Sequence, residues 1–150
     1  MLPIEIKHLV DQYIELSFSV NKNGESLVRD QMNDDMTSDQ HYTLRYIYQI
    51  KSCTPSDLAK KFQVKKSAIT AMINRMWKKG WIQRTRDEKD RRVVYLTLTE
   101  EGKSLYMKTE ERIHHLVSSM LNNFEQEELE QFLCTYQKLQ RVLEDINKHK

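Results

Sequence analysis

Apolar residues recur along this chain with two periods, and the switch between them marks out its elements. Ile6, Leu9, Tyr13, Leu16 and Val20 advance in steps of three and four, a coiled-coil-like seam, and Ile14 and Phe18 widen the stripe. Residues 3–31 therefore read as one long helix, with Asn21–Gly24 the candidate break and Asn33-Asp34-Asp35 a polar joint after it. Thr37 with Gln40 three residues on is a capping-box signature for a second helix, whose apolar face (Leu44, Ile47, Tyr48) runs to about Ile50. Thr54-Pro55-Ser56-Asp57 starts a third: Thr54 caps, Pro55 takes the first helical position and Asp57 suits the dipole. That helix is short, ending near Phe62. A fourth spans about Lys65 to Lys79 with Ile69, Met72, Ile73 and Met76 on one face, and Gly80 supplies its stop.

The period then changes. Trp81–Thr85 and Val93–Leu98 are β-prone and flank the charged run Arg86-Asp87-Glu88-Lys89-Asp90-Arg91-Arg92, a hairpin with a long polar tip. Thr99 caps a fifth helix with Glu100 and Glu101 in its first turn; its apolar positions are Leu105, Ile113, Leu116, Val117, Met120, Leu121 and Phe124. The last helix starts near Glu125, and Leu129, Phe132, Tyr136, Leu139, Leu143 and Ile146 form a second seam, read either as packing within one chain or as a coiled-coil contact. The fold class is mainly α with a small β-hairpin.

Composition narrows the class. The 150 residues suit a single domain, and 3 Gly and 2 Pro argue against disorder and turn-rich sandwiches. No apolar run approaches the roughly 18–20 residues of a bilayer span, and the first ten residues lack a signal-peptide core, so a cytoplasmic protein without membrane association is expected. Cys53 and Cys134 form no CxxC pair, which supports neither a disulfide scaffold nor a zinc knuckle; each reads first as a buried small hydrophobe. The apolar terminal helices suggest a core partly shared with a second copy.

The net charge of +2 conceals an asymmetry. Residues 60–92 hold twelve Lys and Arg against three acids, +9, while the rest of the chain sums to −7. A cationic island on an acidic body points to a polyanion, most commonly nucleic acid, with a solvated Lys-rich face as the plain alternative. Two short helices joined by a tight turn, the second basic at its start, define a helix-turn-helix at about 54–77. Ala59 is small where the helices approach, Val64 plugs the turn and Ile69 anchors the second helix. Lys65, Lys66, Ser67, Thr70, Ala71 and Asn74 are left on the open face: lysines for phosphate, short side chains for base edges in a major groove. Local capping or back-bonding is the competing reading of Ser67 and Thr70. Arg75 reaches phosphate or braces the hairpin, and Lys78 and Lys79 compensate the helix dipole. The hairpin completes a winged helix, whose arginine-rich tip suits an A·T-rich minor groove.

Asp57-Leu58-Ala59, the helix ending in Lys78-Lys79-Gly80-Trp81, then Asp90-Arg91-Arg92 and Leu98-Thr99-x-x-Gly102 together resemble the MarR family of bacterial transcriptional regulators, over essentially the whole chain. The resemblance implies a homodimeric winged-helix protein that binds pseudo-palindromic double-stranded DNA, usually as a repressor, and is often released by a small ligand or by cysteine oxidation. It implies a recognition helix at Lys65–Arg75. It also implies wing-tip contacts from Arg92 and Arg91, with Lys89 beside them, and Asp90 orienting the arginine cluster. The implied organisation is one domain, 1–150, with a DNA-binding lobe at 36–99 and a helical dimerisation region at 1–32 and 100–150. Asn74 departs from the pattern, standing where many members carry an Asp that pairs with a wing arginine. It can accept a hydrogen bond but forms no ion pair, so a less fixed wing is expected.

Tyr13, Tyr42, Tyr46 and Tyr48 are candidates for a cleft holding a small aromatic or phenolic ligand, with core packing the plainer reading for most. His114 and His115 are neighbours on a helix and point apart, so they cannot chelate one metal alone, and no metal or cofactor is expected. Neither a Gly-rich phosphate loop, a nucleophile elbow nor HExxH occurs, so the chain does not read as an enzyme. The alternatives are a sequence-tolerant architectural DNA-binding protein, which would share the basic island, and a winged-helix protein-interaction module, which would show an acidic or apolar recognition face.

Overall fold

The computed structural model describes residues 3–32 and 35–150, Pro3 by its backbone only. The elements are α1 (Pro3–Gln31), α2 (Ser38–Ile50), α3 (Pro55–Phe62), α4 (Lys66–Lys78), β1 (Ile82–Arg86), β2 (Val94–Leu98), α5 (Glu100–Leu121) and α6 (Gln126–Lys148). The chain divides into two compact units, residues 1–112 and 113–150. Within the polar joint, Asn33 and Asp34 lie outside the described residues.

The expected caps are present. Gln40 N–H donates to Thr37 Oγ1 at 3.1 Å while the Gln40 side chain accepts from Thr37 N–H, closing the box that starts α2. Thr54 and Asp57 form the same reciprocal pair ahead of α3, with Pro55 in its first turn. At the end of α4, Gly80 N–H bonds to Trp77 O at 3.0 Å and Trp81 N–H to Met76 O at 3.1 Å. This paired closure needs a left-handed residue, and Gly80 supplies it at φ 79°.

Three expectations are corrected. Helix α1 is continuous through Asn21–Gly24, where the Asn23 side chain donates back to Ser19 O at 2.8 Å instead of capping a break. Val64 does not plug the turn between α3 and α4; it is exposed. That turn is closed by backbone: Gln63 is left-handed (φ 54°), its N–H bonds to Lys60 O, and Val64 N–H bonds to Ala59 O. The hairpin strands begin one residue later than expected, because Trp81 and Val93 are spent on the α4 stop and on the wing turn.

β1 and β2 pair antiparallel from Ile82↔Leu98 to Arg86↔Val94, and Cys53 adds a one-residue bridge to Leu96. The inward positions Ile82, Leu96 and Leu98 join Leu44, Ile47, Leu58, Ile69, Ile73, Met76 and Tyr106 in one buried core. The motif Leu98-Thr99-x-x-Gly102 has a packing cause. Thr99 Oγ1 donates to Gly80 O at 2.5 Å and accepts from Gly102 N–H at 2.9 Å. A Cβ on Gly102 would stand 2.0 Å from the Trp81 carbonyl oxygen, so only glycine lets α5 start against the end of α4. The core thereby fixes the angle at which α4 and the hairpin leave the lobe.

The terminal helices differ. Ile6, Leu9, Tyr13, Leu16 and Val20 of α1 are 47–65% exposed, and no residue of α6 is buried.

Candidate nucleic-acid interface

Helix α4 buries Ile69, Ile73 and Met76 and turns its other side outward. Lys65, at the N-cap position, and Lys66, Ser67, Thr70, Asn74 and Arg75 are all exposed. Ala71 is the exception, half-buried because it stands beside Met72 on the flank of the buried stripe. Lys65 caps with no side-chain hydrogen bond, so the first amides of α4 face outward with two lysines beside them, a favourable setting for an anion. Thr70 Oγ1 donates to Lys66 O at 2.9 Å, which commits its hydroxyl proton and leaves a methyl group and acceptor lone pairs outward.

The wing is built around two aspartates. Asp87 Oδ1 accepts from the backbone N–H of Lys89 at 2.8 Å and of Asp90 at 3.3 Å, while Tyr95 OH donates to Oδ2 at 3.2 Å. These donors hold the Asp87 carboxyl below its ordinary range, the two backbone bonds first. The same contact raises Tyr95 above the ordinary phenol value. Asp90 accepts from Arg92 through Nε (3.1 Å), Nη2 (3.3 Å) and the backbone N–H (3.1 Å), and these bonds lower its carboxyl in turn. Arg92 is thus oriented while its side chain remains 91% exposed. Arg86 Nη1 donates to Arg91 O at 2.8 Å, bracing the tip from β1, and Lys89 and Arg91 are exposed.

Helix and hairpin are tied by Arg84 of β1. Its Nη2 donates to Asn74 Oδ1, and its guanidinium lies 5.4 Å from the centre of the Trp77 ring. Asn74 Oδ1 therefore accepts from a strand arginine rather than from one at the wing tip.

A second polar cluster joins α2 to α5. His41 of α2 is buried, its Nε2 3.0 Å from Glu110 Oε2 of α5, and Glu110 also accepts from Arg45. His41 Nδ1 is buried without a partner. Burial first, and the Arg45 charge second, lower the His41 pKa, which favours the neutral ring. A cavity of about 620 Å³ is lined by Ile47, Tyr48 and Lys51 of α2, Gln83, Thr97 and Leu98 of the hairpin, and Lys103 of α5. Of the four tyrosines singled out for a cleft, Tyr48 lines it. Tyr13, Tyr42 and Tyr48 are 40–52% exposed rather than core, because they sit on the outer flanks of α1 and α2. Cys53 is buried as expected, and burial pushes its thiol up to about 12. Cys134 is exposed on α6, contrary to expectation.

Residues 36–94 match the family model of the MarR family. Over 98 residues the chain is 35% identical to the HTH-type transcriptional regulator YwhA of Bacillus subtilis, covering 65% of this chain and 70% of that protein. The chain belongs to the MarR family. Over 67 residues it is 40% identical to the HTH-type transcriptional repressor MdtR of B. subtilis, covering 45% of this chain and 43% of that protein. A mutant of E. coli MarR, solved in complex with operator DNA, superposes with a TM-score of 0.74 at 25% identity, covering 83% of this chain and 91% of that one.

Seen as a MarR-family winged helix, the lobe contains four side chains that sequence reasoning left out. Arg84 holds Asn74, Trp77 lies against the Arg84 guanidinium, Asp87 organises the wing turn, and Tyr95 braces Asp87. Asp87 was findable: an aspartate two and three residues ahead of the amides it accepts is an Asx turn. Arg84 could have been found from strand register, since alternation along β1 puts it on the same face as Ile82, opposite Leu96, the face that packs toward the helices. Among the described residues no group of His, Cys, Asp or Glu is gathered as a metal site requires, and no helix is long and apolar enough to cross a membrane.

Proposed function

We propose that this MarR-family transcriptional regulator acts as a homodimeric repressor on a pseudo-palindromic operator. In each copy, α4 enters a major groove through Ser67, Thr70, Ala71 and Asn74, Lys65, Lys66 and Arg75 hold phosphates, and Arg91, Arg92 and Lys89 approach the adjacent minor groove. The observation that carries this reading is Arg92, held by Asp90 through three hydrogen bonds yet open to solvent, on the same basic segment as the exposed face of α4. An arginine oriented that firmly in free protein loses little freedom on docking.

The exposed seams of α1 and α6 supply the dimer contact, in a terminal region at 1–32 and 100–150 that joins two lobes of 36–99. A twofold axis through that contact spaces the recognition helices roughly one helical turn of DNA apart. Repression is supported by the likeness to MdtR, and operator binding by the likeness to the DNA-bound MarR. A small aromatic or phenolic ligand in the cavity beside Tyr48, Lys51 and Lys103 releases DNA if it favours a lobe spacing that one operator cannot serve. Regulation rather than catalysis, in the cytoplasm, is the corresponding role.

The test is selection of genomic DNA fragments by the purified protein at physiological salt, with Arg92→Ala in parallel. Enrichment of a few palindromic sites, lost in the variant, supports the reading. Uniform recovery would assign an architectural role, and no recovery would favour a protein partner.

A further inference from the structure

We infer that Arg84 sets the base preference of Asn74, holding its amide so that each half-site is read as guanine at the position Asn74 faces. The inference rests on the proposed reading of α4 as the recognition helix. A guanidinium carries donors and no acceptor, so the Asn74 atom facing Arg84 is the carbonyl oxygen, and the amide orientation follows from chemistry. The Trp77 ring steadies the same guanidinium, which keeps Arg84 over α4 rather than extended into solvent. Asn74 is exposed, and its Nδ2 makes no hydrogen bond among the described residues.

An asparagine reads adenine by accepting from N6 and donating to N7 at once. Here one lone pair of the oxygen is taken by Arg84, and the cation beside the other repels the adenine amine. What Asn74 presents is an NH₂ group backed by positive charge. Guanine meets it with two acceptors, N7 and O6, and no donor on that edge. Arg84 is thus a positioning residue: it lies on β1, bonded to Asn74, and selects the base through that side chain.

The experiment selects sites from a randomised duplex library with the full chain and with Asn74→Ala, Arg84→Met and Arg84→Lys, all on the exposed surface. Asn74→Ala marks the position that Asn74 reads. At that position the unaltered protein is expected to prefer guanine over adenine on the order of tenfold. Arg84→Met is expected to shift the preference to adenine there and nowhere else, and Arg84→Lys, still a cationic donor, to keep guanine. An Asn74→Ala profile unchanged at every position would overturn the inference, as would identical preferences in the unaltered protein and Arg84→Met. If the unaltered protein enriches no site, the DNA reading itself falls and this inference with it. Failure of the inference alone leaves enriched sites whose marked position ignores Arg84.

Discussion

Two regions of this chain use their apolar residues in opposite ways. In the winged-helix lobe, Leu44, Ile47, Leu58, Met76 and Leu96 are fully buried, and helices only 8 and 13 residues long are held by caps and a common core. In α1 and α6, helices of 29 and 23 residues carry regular apolar seams that the single chain leaves largely in water, with Leu129 and Leu139 half-buried. The lobe core is closed within the one chain, with Met32 and with Tyr106 of α5 completing it, whereas α1 and α6 hold largely exposed apolar surface, worth roughly 25 cal/mol per Å² once covered. The difference teaches that periodicity shows which side of a helix is apolar but not which chain covers it.

The sharpest way to break this contrast is Leu139→Glu. If the α6 seam is shared between copies, a carboxylate placed in it should weaken self-association by roughly 3–5 kcal/mol, seen as monomers in sedimentation. A soluble dimer of unchanged affinity would move the interface elsewhere. Leu58→Ala probes the other region. It should cost about 2–5 kcal/mol of unfolding free energy in denaturant at fixed protein concentration, through the cavity left in the lobe core. A cost below about 1 kcal/mol would mean that the lobe is looser than its packing implies. Arg92→Ala separates binding from folding: operator affinity should fall by about 1–3 kcal/mol with the denaturation midpoint unchanged.

The smallest effect concerns pH. Burial and Arg45 hold the folded His41 pKa below its ordinary 6.5, so below that pH the unfolded chain binds the extra proton more readily. Stability attributable to His41 is therefore complete above pH 6.5 and declines as pH falls from there toward the depressed folded value. His41→Phe should flatten the stability profile just below pH 6.5. An equal slope in both proteins would assign the decline to other groups.

Much of this was legible in the sequence because it rests on local chemistry. Thr54 with Asp57, Thr37 with Gln40 and Gly80 are decided within a few residues of chain, and each cap forms as read. The contacts that escaped reading join distant positions. Arg84 meets Asn74 only once the hairpin folds back along α4, and His41 meets Glu110 across 69 residues of chain. The turn at Gln63 escaped for another reason: nothing in a glutamine announces a left-handed backbone, which the two bonds to Ala59 and Lys60 impose. Gly102 was legible as a motif, but its cause, the Trp81 carbonyl, needed the packed α4–α5 corner.

The central claim is that two lobes, joined through the terminal helices, read one palindrome together. The most direct test is titration of the protein onto a selected duplex and onto its isolated half-site, with the mass of each complex measured. The account predicts two chains on the full site, at least about a hundredfold weaker binding to the half-site, and loss of that advantage in Leu139→Glu. One chain per half-site, at equal affinity on both duplexes, would contradict it.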